Sequence, residues 1–185
     1  MALVNRRVRC AAMLALSGLA ATLAAAPDPR PAEYEVKAAY LYNFAKFVEW
    51  PAVSGRETFV VGILGRDPFG ALLDNAVAGK NVGGRRLTVR RCATLEDVAG
   101  VDMLFIASSE ASRVADVLKH VQGTPTLTVG ETDGFVGRGG MVGFRVMDEV
   151  VRFDVDLDQS TRAGLRVSSQ LVRVARKVIT SARGQ

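Results

Sequence analysis

The stretch from Glu33 to Pro51 carries the apolar period of an α-helix. Its apolar side chains recur at spacings of three and four residues, which place them on one helical face: Val36, Ala39, Tyr40, Phe44, Phe47 and Val48. Polar residues fall mostly on the other side: Lys37, Asn43, Lys46 and Glu49. Pro51 disfavours the α conformation at Trp50 and ends the helix. We predict an amphipathic helix packed on a sheet, with its aromatics in the core; a ligand-stacking aromatic cluster is the alternative.

Apolar runs bounded by turn residues follow this helix, at 58–64, 87–91, 102–107 and 126–129. Such runs are typical of strands that are buried on both faces of a sheet. Between them, helical patterns occupy 68–78 and 110–121, the first opened by Asp67 as a cap and Pro68 as its first residue. Alternating strands and helices predict an α/β layer with a mainly parallel sheet.

The pattern changes after Val129. Two strands at 141–146 and 150–157 flank a turn, and in the second strand apolar residues alternate with Arg152, Asp154 and Asp156. This alternation indicates an antiparallel hairpin with one solvated face. We predict a last helix that is capped by Ser168. Its inward-facing residues are Leu171, Val174, Ala175 and Val178. The predicted fold is therefore a single α/β domain: a mainly parallel central sheet, flanking helices and an antiparallel C-terminal hairpin.

The N-terminal segment has the pattern of a secretory signal peptide. Arginines precede an apolar stretch at 11–23, and small residues follow it up to Ala26. An uncleaved anchor helix is the alternative, but the apolar run is shorter than the ~20 residues that a bilayer requires. We predict a signal peptide at 1–26, a flexible tether at 27–32, one domain at 33–180 and a tail at 181–185.

The net charge is informative only after the predicted signal peptide has been removed from the count. The chain has 24 Lys and Arg against 19 Asp and Glu, a formal charge of +5. Removing Arg6, Arg7 and Arg9 leaves 21 against 19, so the mature domain is near +2. Nucleic-acid binding needs a basic surface that this balance does not provide, and we expect no nucleic-acid partner.

Candidate chemistry is sparse. Beyond the signal peptide, Cys92 is the only cysteine and His120 the only histidine, too few for a zinc site, and we expect no cofactor and no catalytic set. Cys92 is interpreted as a small buried hydrophobe, with an intermolecular disulfide or a reactive thiol as alternatives. Asp154 and Asp156 share one strand face, where they either share a cation or mark the solvated side of the hairpin.

A ligand site, if the chain has one, belongs at the carboxyl ends of the parallel strands. Hydroxyl groups, helix N-termini and an arginine there suit a small polar or anionic ligand. The candidate residues are Arg66, Asp67, Ser108, Ser109, Glu110 and Glu131. The same residue types are also common helix caps, so the signal is weak.

Several segments together resemble the YfiR family of periplasmic proteins. They are residues 35–51, 61–65, 67–69, 102–106, 139–144, 151–155 and 163–171, in order along the chain. The resemblance implies a periplasmic, non-enzymatic regulator that binds and represses the periplasmic domain of a membrane-bound diguanylate cyclase. It also implies a homodimer and an outer-membrane lipoprotein partner whose action permits cyclic-di-GMP synthesis and biofilm formation.

The aromatic helix and the basic C-terminal helix are the surfaces that we expect to contact a partner, through Tyr42, Trp50, Arg173 and Arg176. One feature departs from the family: characterised relatives can carry disulfides within the folded domain, whereas Cys92 has no partner cysteine beyond the signal peptide, so an internal redox switch is not expected. Two other interpretations stay open. One is a small-molecule sensor that uses the strand-end residues, and the other is a hydrolase that depends on Asp154 or Asp156.

Overall fold

The structure, a computed structural model, describes residues 30–51 and 55–181. The predicted signal peptide lies outside the described residues. The helices are α1 (Arg30–Phe47), α2 (Ala71–Val77), α3 (Val114–His120), α4 (Leu157–Arg162) and α5 (Ser169–Val174). The strands are β1 (Val48–Glu49), β2 (Thr58–Leu64), β3 (Asn81–Val82), β4 (Arg85–Cys92), β5 (Met103–Ile106), β6 (Leu127–Gly130), β7 (Val142–Met147), β8 (Val150–Asp156), β9 (Arg166–Val167) and β10 (Lys177–Ile179).

The predicted fold class is confirmed. An eight-stranded sheet has the order β10-β8-β7-β6-β5-β2-β4-β3, and β4, β2, β5, β6 and β7 run parallel to one another. The strands β7 and β8 form the predicted antiparallel hairpin, and β3 is antiparallel to β4. The short strands β1 and β9 pair separately. The carboxyl ends of β2, β5 and β6 therefore meet at one edge of the sheet.

Hydrophobic side chains cover both faces of this sheet. On one face, α1, α2 and α5 pack on a cluster that contains Phe44, Phe59, Phe105, Phe144 and Phe153. On the other face, Val114 and Val117 of α3 pack with Leu64, Leu104 and Phe135. Burial on both sides explains why β2 and β5 have continuous apolar runs rather than alternating ones.

The predicted inner face of α1 is partly wrong. Ala38, Leu41, Phe44, Ala45 and Val48 are buried, whereas Val36 is 44% exposed. Lys37, which the pattern assigned to the solvated side, is 3% exposed. The helix is apolar around much of its circumference, so its period defines the buried face poorly. It also begins at Arg30, within the predicted flexible tether, and ends at Phe47 before β1.

The predicted solvated positions of Asp154 and Asp156 are also wrong, because both residues are buried. Asp154 pairs with Arg176, and Asp156 accepts a hydrogen bond from the backbone N–H of Gln159 as the cap of α4. Both carboxylates thus hold the C-terminal part of the fold together. Within the described part of the chain, they are not part of a group of three or more His, Cys, Asp or Glu side chains that could hold a metal ion.

The predicted last helix is shorter than expected. Ser168 caps α5 as predicted, but the helix ends at Val174, which is exposed. The chain then becomes extended, since the Arg176 N–H donates to the Phe153 carbonyl and β10 joins β8 in parallel. The helix predicted at 110–121 likewise starts as a 3-10 turn over Ser108–Arg113, and α2 starts at Ala71 rather than at Pro68.

Cys92 is buried at the end of β4, as predicted for a small hydrophobic residue. Burial raises the pKa of its thiol, and the nearby Arg90 opposes that shift only in part. A thiol with these properties is poorly reactive at neutral pH. His120 is exposed at the end of α3.

Candidate functional site

The candidate ligand residues lie together where β2, β5 and β6 end. Arg66, Asp67, Ser108 and Ser109 line a depression of about 380 Å³. Ser108 also borders a second depression of about 310 Å³, together with Glu131. The two depressions are adjacent, because Ser108 lines both. The structure thus brings the residues together as the topology of parallel strands predicts.

Glu131 is already satisfied by groups within the protein. Its carboxylate accepts hydrogen bonds from Lys37 Nζ at 2.7 Å, Tyr34 Oη at 3.1 Å and the Ser108 N–H at 3.2 Å. Lys37 also forms an ion pair with Glu33, one turn earlier on α1. The Lys37 and Glu131 side chains are 3% and 6% exposed. This buried ion pair attaches α1 to the carboxyl end of β6.

Asp67 likewise has a structural role. One carboxylate oxygen accepts from the backbone N–H groups of Phe69 and Gly70, at 2.8 and 3.3 Å. The other oxygen accepts from Arg91 Nε at 2.9 Å. Arg91 also pairs with Asp74, and its guanidinium lowers the pKa of the Asp74 carboxyl. Asp67 therefore shapes the turn from β2 into α2 and links that turn to β4.

The remaining strand-end residues pack closely against β2. Ser109 Oγ accepts from the Arg66 N–H at 2.9 Å, and Glu110 is buried and pairs with Arg113. Gly65 has a φ of +93°, and a Cβ there would lie 2.5 Å from Ser109 Oγ. The turn after β5 can therefore approach β2 only because residue 65 is glycine.

The candidate partner residues fall into two pairs. Trp50 and Arg176 have intramolecular contacts: Trp50 Nε1 donates to the Asp102 carbonyl at 3.1 Å, and Arg176 pairs with Asp154. Tyr42 is half-buried, with Lys46 and Lys80 over its ring, and Arg173 is exposed on α5. Arg173 is thus the most accessible of the four, because Arg176, although exposed, is paired, and Tyr42 and Trp50 are half-buried.

The sequence did not identify the part of the site that comes from α1. Glu33, Tyr34 and Lys37 border the smaller depression, yet none was a candidate. The spacing of Glu33 and Lys37, four residues apart, is the available signal, because it places opposite charges on one helical face. That spacing is common on solvated helices and does not by itself indicate burial.

No helix within residues 30–51 and 55–181 combines the length and apolar character needed to cross a membrane.

Solved structures include proteins with a similar fold. A conserved domain protein from Vibrio cholerae O1 biovar El Tor superposes with a TM-score of 0.54 at 10% identity, over 79% of this chain. The match spans 60% of that protein. The ABC domain of a Streptococcus pneumonia protein, in complex with L-Trp, has a TM-score of 0.48 at 12% identity, over 65% of this chain and 55% of that one. Likeness at such identities concerns the fold alone.

Family comparison covers most of the described structure. No curated protein matches the chain. Residues 34–176 match the DUF4154 family, described as YfiR/HmsC-like. The matched range begins in α1, includes the strand-end residues, and ends at Arg176, immediately before β10. The chain therefore belongs to the YfiR/HmsC-like family.

Proposed function

We propose that this protein is a periplasmic, non-enzymatic regulator that binds the periplasmic domain of an inner-membrane diguanylate cyclase and represses it. Repression lowers cyclic-di-GMP and biofilm formation. The family match over residues 34–176 carries this proposal, because YfiR-like proteins are periplasmic regulators that act on partner proteins and are not known for catalysis.

The same family membership supports two further parts of the proposal. The protein forms a homodimer, and an outer-membrane lipoprotein relieves the repression. The predicted signal peptide at 1–26 is the export signal that places the domain in the same compartment as both partners.

Among the candidate contact residues Tyr42, Trp50, Arg173 and Arg176, accessibility favours Arg173. Trp50 and Arg176 would have to give up intramolecular bonds to contact a partner, whereas Arg173 is exposed. Exposed charges at the rim of an interface mainly affect the association rate and its salt dependence. We therefore expect Arg173 to contribute through long-range attraction to acidic groups of the cyclase.

A small-molecule sensor at the strand ends is the weaker candidate. Its most buried carboxylate, Glu131, already accepts three hydrogen bonds, and Asp67 accepts three as well. A ligand that binds to these carboxylates would have to displace their hydrogen-bond donors and would gain no further donors in return. This displacement lowers the affinity of the ligand.

Binding to purified periplasmic domains tests the proposal. We expect the mature protein to bind at least one periplasmic domain among the transmembrane diguanylate cyclases of its own host, measured by isothermal titration calorimetry. Arg173→Glu is expected to weaken that binding by about tenfold at low salt. The matched control Arg86→Glu, an exposed arginine on β4, should leave the affinity unchanged.

The outcomes distinguish an error in the proposed function from an error in the assigned contact residue. If none of the periplasmic domains binds, repression by direct contact is wrong. If one binds but Arg173→Glu and Arg86→Glu behave alike, the function stands and the assigned contact residue is wrong.

A further inference from the structure

A groove away from the strand ends has the properties of a binding site. It has a volume of about 430 Å³ and lies between α3, α4 and the loop that precedes β7. Its apolar lining comes from Leu118 and Val121 at one side and from Met141 and Ala163 at the other. Clefts of roughly 300–1,000 Å³ with an apolar lining and a few polar groups are typical small-molecule sites.

Three cations from three different elements border this groove: Lys119 on α3, Arg138 in the loop and Arg162 at the end of α4. Within the described part of the chain, no carboxylate lines it. Asp158, one turn before Arg162, does not line the groove; it accepts a hydrogen bond from the backbone N–H of Ser181, and hydrogen bonding to Ser181 and the charge of Arg162 both lower the pKa of its carboxyl. The groove therefore has a positive field with an apolar floor.

Arg138 is held in place without being neutralised. Its guanidinium donates to the Thr132 hydroxyl at 2.8 Å, to the Asp133 carbonyl at 3.1 Å and to the Ala111 carbonyl at 3.3 Å. All three acceptors are uncharged. A guanidinium has five N–H donors, so three bonds fix its position and leave both charge and hydrogen-bonding capacity for another group.

The strand-end depression bordered by Glu131 has the opposite character. Glu33, Glu131 and Asp133 border it, and its cations are already paired: Lys37 with the two glutamates and Arg145 with Asp133. An anion placed there would face carboxylates. Electrostatics therefore favours the groove between α3 and α4 over this depression for a negatively charged ligand.

We propose that this groove binds an organic anion with an apolar body, such as an aryl carboxylate, sulfonate or phosphate. The apolar body packs on Leu118 and Met141, and the anionic group pairs with Arg138 between Lys119 and Arg162. This site is independent of the proposed action on a cyclase, and it uses none of the residues assigned to partner binding.

Anilinonaphthalene sulfonate, an anionic aromatic dye whose fluorescence rises in apolar sites, tests the proposal on the mature folded chain. We expect saturable binding to one site. The double variant Lys119→Glu/Arg162→Glu should weaken it by about tenfold or more, because two nearby attractions become repulsions. Both side chains are exposed, so the fold should persist, which thermal unfolding verifies. Arg138 is left unchanged because it also holds the loop.

Two controls make the test specific. The variant Arg86→Glu/Arg152→Glu, at exposed arginines of β4 and β8, changes net charge equally outside the groove and should bind the dye within about twofold of the parent protein. Phenylnaphthylamine, which lacks the sulfonate, should bind about tenfold more weakly than the dye. The proposal is overturned if the dye does not bind saturably, if the two double variants lose affinity equally or not at all, or if the uncharged analogue binds as tightly.

Discussion

Replacing Phe44 with alanine is expected to lower the free energy of unfolding by about 3–5 kcal/mol. Phe44 is fully buried on α1 and contacts Phe144 and Phe153, with ring centroids 5.7 and 5.1 Å away. These two phenylalanines lie on opposite strands of the C-terminal hairpin, so the truncation opens a cavity between helix and hairpin. For a domain of this size, the melting temperature should fall by roughly 6–20 °C.

Val36→Ala on the same helix is the matched control. Val36 is 44% exposed, and its truncation should change the free energy of unfolding by no more than about 0.5 kcal/mol. Denaturant unfolding of both variants, followed by circular dichroism, measures the difference. A Val36→Ala loss equal to that of Phe44→Ala would mean that α1 buries the face its sequence pattern predicts and not the face described above.

Lys37→Met is expected to cost about 3 kcal/mol of stability, because removing one partner of a buried ion pair leaves the other without compensation. The methionine keeps an unbranched apolar stem in place of the lysine stem but not the charge. Glu131 then retains only the Tyr34 hydroxyl and the Ser108 N–H as donors. The expected cost is at the lower end of the range for such pairs because those two bonds persist.

A double-mutant cycle with Glu131→Gln isolates the ion pair. The combined variant should lose less than the sum of the single losses, since each single variant leaves one buried charge unpaired. Lys46→Met serves as the control, because Lys46 is exposed on the same helix with only ring contacts. Additive losses in the cycle would contradict an energetic coupling of α1 to the end of β6.

The strands of this fold could be predicted because their signal is local. The continuous apolar runs of β2 and β5 reflect burial on both faces, a property that each residue carries in its own side chain. Asp154 could not be placed this way, since alternation indicates two faces but not what covers the second one. The loop before β7 covers this second face. It can pack closely because Gly130 and Gly140 have no side chain; a Cβ at either position would lie within 2.5 Å of the Phe135 ring.

The end of the chain shows the same limit. Residues 171–178 fit a helical period, yet β10 forms because β8 offers an unpaired edge to the chain after Arg176. That edge exists only after the sheet has assembled. A pattern read along the sequence contains no information about it.

That the strand-end residues lie together could be predicted, because parallel topology alone determines where strand ends meet. What topology could not predict is that Glu131 and Asp67 are occupied by partners within the protein. Lys37 comes from a helix 94 residues away along the chain. The groove between α3 and α4 was missed for a related reason, since its three cations are brought together only by tertiary structure.

The most direct test of the regulatory function is the cellular level of cyclic-di-GMP after deletion of this gene in its own host. We expect the level to rise, and to return to that of the wild type when the cyclase whose periplasmic domain binds the protein is deleted as well. An unchanged level in the single deletion, or a rise that persists in the double deletion, would contradict repression through that enzyme.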